Sequence, residues 1–147
     1  MWAKRRRWDS GGEVAPLGVG LEHLSMVAYD PAAKVIGDAL DAAKVGLLGE
    51  DKSPTRRLGG IDNRGSHFYL AMYWAQALRD QTTDAALASA FAPLANALEA
   101  QESTIVEELI AVQGKPVDLG GYYRPDAAKA DAAMRPSATL NDLIGSF

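Results

Sequence analysis

Apolar residues recur at three- and four-residue intervals along most of this chain, in segments that start at good helix caps and stop at glycine or proline. That pattern narrows the fold to packed helices. Asp30-Pro31 opens the first clear segment, with the aspartate as N-cap and the proline at the first helical position, where its missing N–H breaks no bond. Ile36, Leu40, Ala43 and Leu47 then line one face, until Gly46 and Gly49 weaken and end the helix. Gly49 to Gly65 reads as a long polar loop. After it, Ser66 is placed to cap a helix whose buried stripe is Leu70, Ala71, Trp74, Ala77 and Leu78. Thr83-Asp84 starts another helix, which buries Leu87 and Phe91.

An interior proline loses a backbone bond and clashes with the preceding turn, so Pro93 is expected to restart a helix rather than sit inside one. From there Leu94, Leu98, Ile105, Leu109 and Val112 mark one face as far as Gly114. Gly114-Lys115-Pro116 breaks the pattern, Val117-Asp118-Leu119 suits a short extended piece, and Gly120-Gly121 a turn. Asp126 can cap an alanine-rich helix to about Met134, which Arg135-Pro136 stops. Ser137 can cap a last short helix carrying Leu140, Leu143 and Ile144. The reading is mainly α, a single unit over residues 1–147 with residues 1–12 as a loose N-terminal arm. No internal repeat or low-complexity linker marks a second domain.

Composition removes several functions. With 48% hydrophobic and 23% charged residues the chain has ordinary globular composition. A formal charge of −4 argues against a general nucleic-acid binder, which needs a net basic surface. There is no cysteine, which excludes disulfides, thiolate metal sites and cysteine nucleophiles. His23 and His67 alone make a histidine-rich metal site a poor expectation. No run of about eighteen apolar residues exists, and Lys4-Arg5-Arg6-Arg7 is followed at once by Trp8-Asp9-Ser10, so a cytoplasmic location and a solvated basic end are expected.

Chemistry has few places to sit. Lys52, Arg56, Arg57 and Arg64 form the basic cluster of the globular part, in a glycine-containing loop that leads into a helix. Guanidinium charge together with first-turn N–H groups near Ser66 would suit a phosphate. Spacing alone leaves a solvated basic loop equally open, since neither a GxGxxG nor a Walker motif is present. His67 and His23 read as structural donors, and Asp62 as a loop cap or a partner for Arg64. Tyr122-Tyr123 are expected to seal a core edge, and Tyr73 and Trp74 to pack. No GxSxG supplies a serine nucleophile.

Longer strings say more. SPTRRLGGIDNRGSHFYLAMYWAQAL at Ser53 to Leu78, QGKPVDLGGYYRPD at Gln113 to Asp126 and AMRPSATLN at Ala133 to Asn141 resemble the C-terminal end of the monomeric-type NADP-dependent isocitrate dehydrogenases. WDSGGE at Trp8 to Glu13 and LEHL at Leu21 to Leu24 fit the same alignment, whereas Met1 to Arg7 carries no resemblance. The alanine richness suggests a GC-rich bacterial source.

The resemblance implies a helical C-terminal layer of a larger α/β domain. The whole enzyme would oxidise isocitrate to 2-oxoglutarate and carbon dioxide, with NADP as hydride acceptor and Mg²⁺ or Mn²⁺ on ligands outside this chain. It implies no catalytic residue here, and one cofactor contact: an arginine on the 2′-phosphate, which by position in the SPxR stretch falls on Arg56, with Arg64 of IDNRG as second candidate. The partner would be the remainder of the dehydrogenase, with neither nucleic acid nor membrane, and self-association is expected through the face left uncovered. The alternative is a non-catalytic helical interaction module. One departure stands out: Pro16, Gly18 and Gly20 fall where the family has a helix, which suggests a looser segment.

Overall fold

A computed structural model describes residues 10–147, with side chains from Val14 onward. The basic tetrad and most of the arm expected over residues 1–12 therefore lie outside the described residues. The described chain holds seven α-helices and no strand: α1 Ser10–Val27, α2 Pro31–Gly49, α3 Asn63–Asp80, α4 Ala85–Ala100, α5 Glu102–Ala111, α6 Ala127–Met134 and α7 Ala138–Gly145. The mainly-α expectation holds. None of these helices is long and apolar enough to cross a membrane.

Four capping expectations hold atom by atom. The Asp30 carboxylate accepts from the N–H of Ala32 at 3.0 Å, Asp84 from Ala86 and Leu87 at 3.0 and 2.9 Å, and Asp126 from Lys129 at 3.0 Å. The Ser137 hydroxyl accepts from Leu140 at 3.0 Å. Each satisfies an N–H that the helix start cannot pair internally.

The helices pack in chain order, α1 on α2, α2 on α3 and α3 on α4, with α5 and α7 closing over α3 and α4. The middle helix α3 is buried on two sides. Phe68, Tyr69, Met72 and Ala75 meet Ala95, Leu98, Ile105 and Leu109. Leu70 meets Val14, Leu40 and Ala43, and Leu78 meets Val35 and Ala39. The sequence-expected stripe captured only the second side. Trp74, half-buried there, donates its indole N–H to the Ile36 carbonyl at 3.0 Å, which joins α3 to α2 by a directed contact as well as by packing.

The structure corrects the sequence reading at several places. α3 starts at Asn63 behind Asp62, so Ser66 is not the cap; it lies buried in the first turn. Residues Ser10–Val27 form one helix through Pro16, Gly18 and Gly20. Its local cost is offset by close crossing with α2: a Cβ on Gly37 would stand 3.3 Å from the Leu21 Cβ and within 4.0 Å of the α1 backbone. α4 likewise runs through Pro93. Pro93 and Ser89 are both exposed, so the carbonyl that loses its bond to the proline lies on the water side. The helix instead breaks at Gln101, where α5 turns away. Val117 to Leu119 forms no strand, and Ile144 is exposed.

Leu98 ties α4 into the larger cluster and is 1% exposed. Leu98→Ala should therefore cost about 3 kcal/mol through lost transfer energy and a residual cavity. Urea unfolding followed by circular dichroism reads it as a lower midpoint at unchanged slope.

Candidate functional site

The Gly49–Gly65 stretch is a built loop. Thr55 N–H donates to the Ile61 carbonyl at 2.6 Å, Arg57 N–H to the Thr55 hydroxyl at 3.1 Å and Gly60 N–H to the Arg57 carbonyl at 3.2 Å. These bonds close residues 55–61 into a small ring with Arg56, Arg57 and Leu58 exposed at its tip. Gly59 has φ +79, in the left-handed region that glycine enters without strain. Gly60 is demanded by space, since a Cβ there would lie 2.6 Å from the Thr55 hydroxyl oxygen.

The loop is moored at both ends. On one side Lys52 lies over the Tyr69 ring at 4.4 Å, and the Tyr69 hydroxyl donates to Glu102 at 2.8 Å. Burial first, then the Glu102 carboxylate, pushes the Tyr69 hydroxyl well above the ordinary phenol range, so it remains a donor. On the other side Gln113, in the turn after α5, bonds both Gly59 and Gly60. A small, mostly apolar crevice separates loop and α5, lined by Ile61, Asp62, Tyr69, Val106 and Gln113 among others.

The arginines of the cluster differ sharply. Arg64 is engaged: it donates to the Asp62 carboxylate through Nε at 3.0 Å and Nη2 at 2.6 Å, and through Nη1 to the Ala133 carbonyl at 2.9 Å, at the end of α6. Asp62 also accepts from the N–H groups of Arg64 and Gly65 at 2.9 and 3.1 Å. Both alternatives for Asp62, cap and arginine partner, are therefore realised together. Asp62 and the backbone take up most first-turn donors of α3, so this helix end does not offer the anion cradle that spacing suggested. Arg56 and Arg57 are exposed, and neither guanidinium forms an ion pair among the described residues. The charge available to an outside anion is at the loop tip.

Other candidates resolve simply. His67 Nδ1 lies 2.6 Å from the Asn63 carbonyl within its own helix, in keeping with a structural donor. His23 is exposed on α1. Tyr122 and Tyr123 do not seal a core edge: they are 92% and 93% exposed, packed edge-on against each other at 5.1 Å. They stand at the tip of a second closed loop, in which Asp126 N–H donates to the Leu119 carbonyl at 2.7 Å. Among the described residues no three of His, Asp and Glu converge as a donor set for a metal. Two anchoring residues escaped the sequence reading. Gln113 acts on a loop 54 residues away. Glu108 accepts from the hydroxyls of Ser137 and Thr139, which hold its carboxyl below the usual range and join α5 to α7.

The family model described as monomeric isocitrate dehydrogenase matches residues 3–145, and so takes in most of the Met1 to Arg7 stretch, which carries no resemblance in its residues alone. The chain belongs to the monomeric isocitrate dehydrogenase family. It is 51% identical over 141 residues to isocitrate dehydrogenase (NADP) 2 of Colwellia maris, covering 96% of this chain and 19% of that protein. It is 55% identical over 135 residues to isocitrate dehydrogenase (NADP) 2 of Mycobacterium tuberculosis, covering 92% of this chain and 18% of that protein. The isocitrate dehydrogenase (NADP) of Azotobacter vinelandii is 53% identical over the same length, with the same coverage. The chain thus spans just under a fifth of the length of these curated relatives.

Because Arg64 ties the α3 start to α6, Arg64→Ala should lower stability by about 2 kcal/mol, as the half-buried Asp62 loses its charged partner. The same pair sets an acid response. Burial, the largest single influence, raises the Asp62 pKa, but Arg64, the Gly65 N–H and the Gln113 amide together outweigh it and leave the carboxyl below its ordinary 3.8. A lowered folded-state pKa gives stability that is complete above the unfolded value and lost as pH falls through the folded one. The stability gap between the unsubstituted chain and Asp62→Asn should therefore be constant above about pH 5 and shrink below about pH 4. Urea midpoints across that range check it, and a gap independent of pH would contradict it.

Proposed function

We propose that this chain is the C-terminal part of an NADP-dependent isocitrate dehydrogenase, and that Arg56 holds the 2′-phosphate of the cofactor. The enzyme as a whole would oxidise isocitrate to 2-oxoglutarate and carbon dioxide, with hydride passing to NADP; substrate, divalent metal and catalytic residues would come from the rest of the polypeptide. The observation that supports the assignment is the contrast between Arg64 and the loop tip, and the SPxR resemblance selects Arg56 over the equally exposed Arg57. Arg56 stands exposed on a loop held by hydrogen bonds, while most donors of Arg64 are spent on Asp62 and Ala133. A guanidinium without an intramolecular partner, on a fixed backbone, is suited to a phosphate dianion because little ordering entropy remains to be lost.

Unmatched apolar surface supports the larger assembly. Along α1, Leu17, Val19, Leu24, Met26 and Val27 are exposed while Val14 faces the core, so apolar residues lie on more than one side of the helix. Exposed apolar residues in this number, interspersed with only a few polar ones, suit a helix that is covered on part of its outer face. We take the remainder of the dehydrogenase to supply that cover. Self-association would be the same face meeting a second copy.

Mixing the chain with the N-terminal remainder of the Mycobacterium tuberculosis relative should yield isocitrate-dependent NADP reduction, while the chain alone turns over nothing, because the reacting groups act only when jointly positioned. Turnover by the isolated chain would refute this division of labour. Complex formation without activity would favour the interaction-module reading.

In the reconstituted enzyme, Arg56→Ala should weaken NADP roughly ten- to hundred-fold, the loss of a charge-assisted contact, and leave NAD nearly unaffected. Arg64→Ala should affect both cofactors alike through stability. Selectivity lost only in Arg64→Ala would reassign the phosphate contact.

A further inference from the structure

Residues 55–61 are closed by their own hydrogen bonds, but those bonds hold the ring to itself and not to the body of the protein. Its softest point is the Gly59-Gly60 pair, where backbone freedom is greatest and Gly59 already sits at φ +79. One side chain spans that point. Gln113 Oε1 accepts from the Gly59 N–H at 2.9 Å, and Gln113 Nε2 donates to the Gly60 carbonyl at 3.0 Å. A carboxamide offers acceptor and donor in one plane, and only this orientation pairs each with its opposite; a carboxylate would set a second acceptor against the Gly60 carbonyl.

Gln113 is itself fixed. Its N–H donates to the Ile110 carbonyl at 3.0 Å in the turn that ends α5, and the following Gly114 takes φ +74, in the left-handed region that favours glycine. The arginine loop is thereby referenced to α5, whose Ile105 and Leu109 are in the core.

We infer that Gln113 is a positioning residue: its amide fixes the Gly59-Gly60 backbone before any ligand arrives, and so sets how well Arg56 discriminates a 2′-phosphate. This rests on the assignment of Arg56 to the 2′-phosphate. Gln113 touches no cofactor; it acts through the loop, by removing the ordering that binding would otherwise have to impose.

Nuclear magnetic resonance on the 147-residue chain separates the steps. Exchange of the Gly59 amide reports the clamp, and shifts of the Arg56 and Arg57 amides on titration with 2′,5′-ADP or 5′-AMP report phosphate recognition. In the unsubstituted chain Gly59 should be protected, and 2′,5′-ADP should move the two arginine amides where 5′-AMP does not. Gln113→Glu and Gln113→Leu should each speed Gly59 exchange about tenfold and weaken 2′,5′-ADP several-fold, with 5′-AMP unchanged. Two variants are used so that a folding defect in Gln113→Leu leaves the near-isosteric Gln113→Glu to decide. Unchanged Gly59 exchange in a folded variant overturns the clamp. Faster exchange with undiminished 2′,5′-ADP binding overturns the positioning role and leaves a structural one. Arginine amides indifferent to 2′,5′-ADP in the unsubstituted chain overturn the phosphate assignment itself, and with it the role given to Gln113.

Discussion

Burial of α3 on two opposite sides is the constraint from which the remaining arrangement follows. A helix with one apolar stripe can rest on a single neighbour, but α3 buries Phe68, Met72 and Ala75 on one side and Leu70 and Leu78 on the other. α2 and α4 must flank it, which leaves α1 an outer layer on α2 and makes α5 and α7 a cover at the far side. Both ends of the loop that carries Arg56 and Arg57 are therefore set by α3: its entry through Lys52 on the Tyr69 ring, its exit through the Asp62 cap.

Asp62 shows how one carboxylate organises several elements at once. It completes two N–H groups of α3, neutralises Arg64, and through Arg64 reaches the last turn of α6. Because it is half-buried, loss of any of these bonds would leave charge that water compensates only in part. Glu108, also half-buried, plays a similar part for α7 from α5.

How much of this was legible in the sequence depended on the range of the interaction. Asp30, Asp84, Asp126 and Ser137 were legible because capping involves residues two or three positions away. At α3 two capping residues, Asp62 and Ser66, lie four positions apart; Asp62 caps by the same local bonds, to the N–H groups of Arg64 and Gly65, and what the sequence does not show is that Arg64 then carries the contact on to α6. Pro16 and Pro93 misled because the rule against interior prolines counts the lost bond and not where the orphaned carbonyl points or what the helix packs on. The exposure of Tyr122 and Tyr123 was illegible for a related reason: burial depends on what stands opposite. At the candidate site, Arg56 was reached through resemblance of a long string, while Gln113 gave no signal, since no spacing rule links residues so far apart in the chain.

The ring of residues 55–61 separates two kinds of demand on the chain. Thr55, Gly60 and Gln113 carry the geometry, and the space at Gly60 admits no side chain. Arg56 and Arg57 carry charge and are exposed, so exchanging either for another polar residue leaves the scaffold with its core and hydrogen bonds intact. The surface presented at the tip can therefore be rewritten by single substitutions that cost the fold little, so preference between chemically related ligands is free to drift while hydrogen bonds and the tight space at Gly60 hold the architecture that displays it.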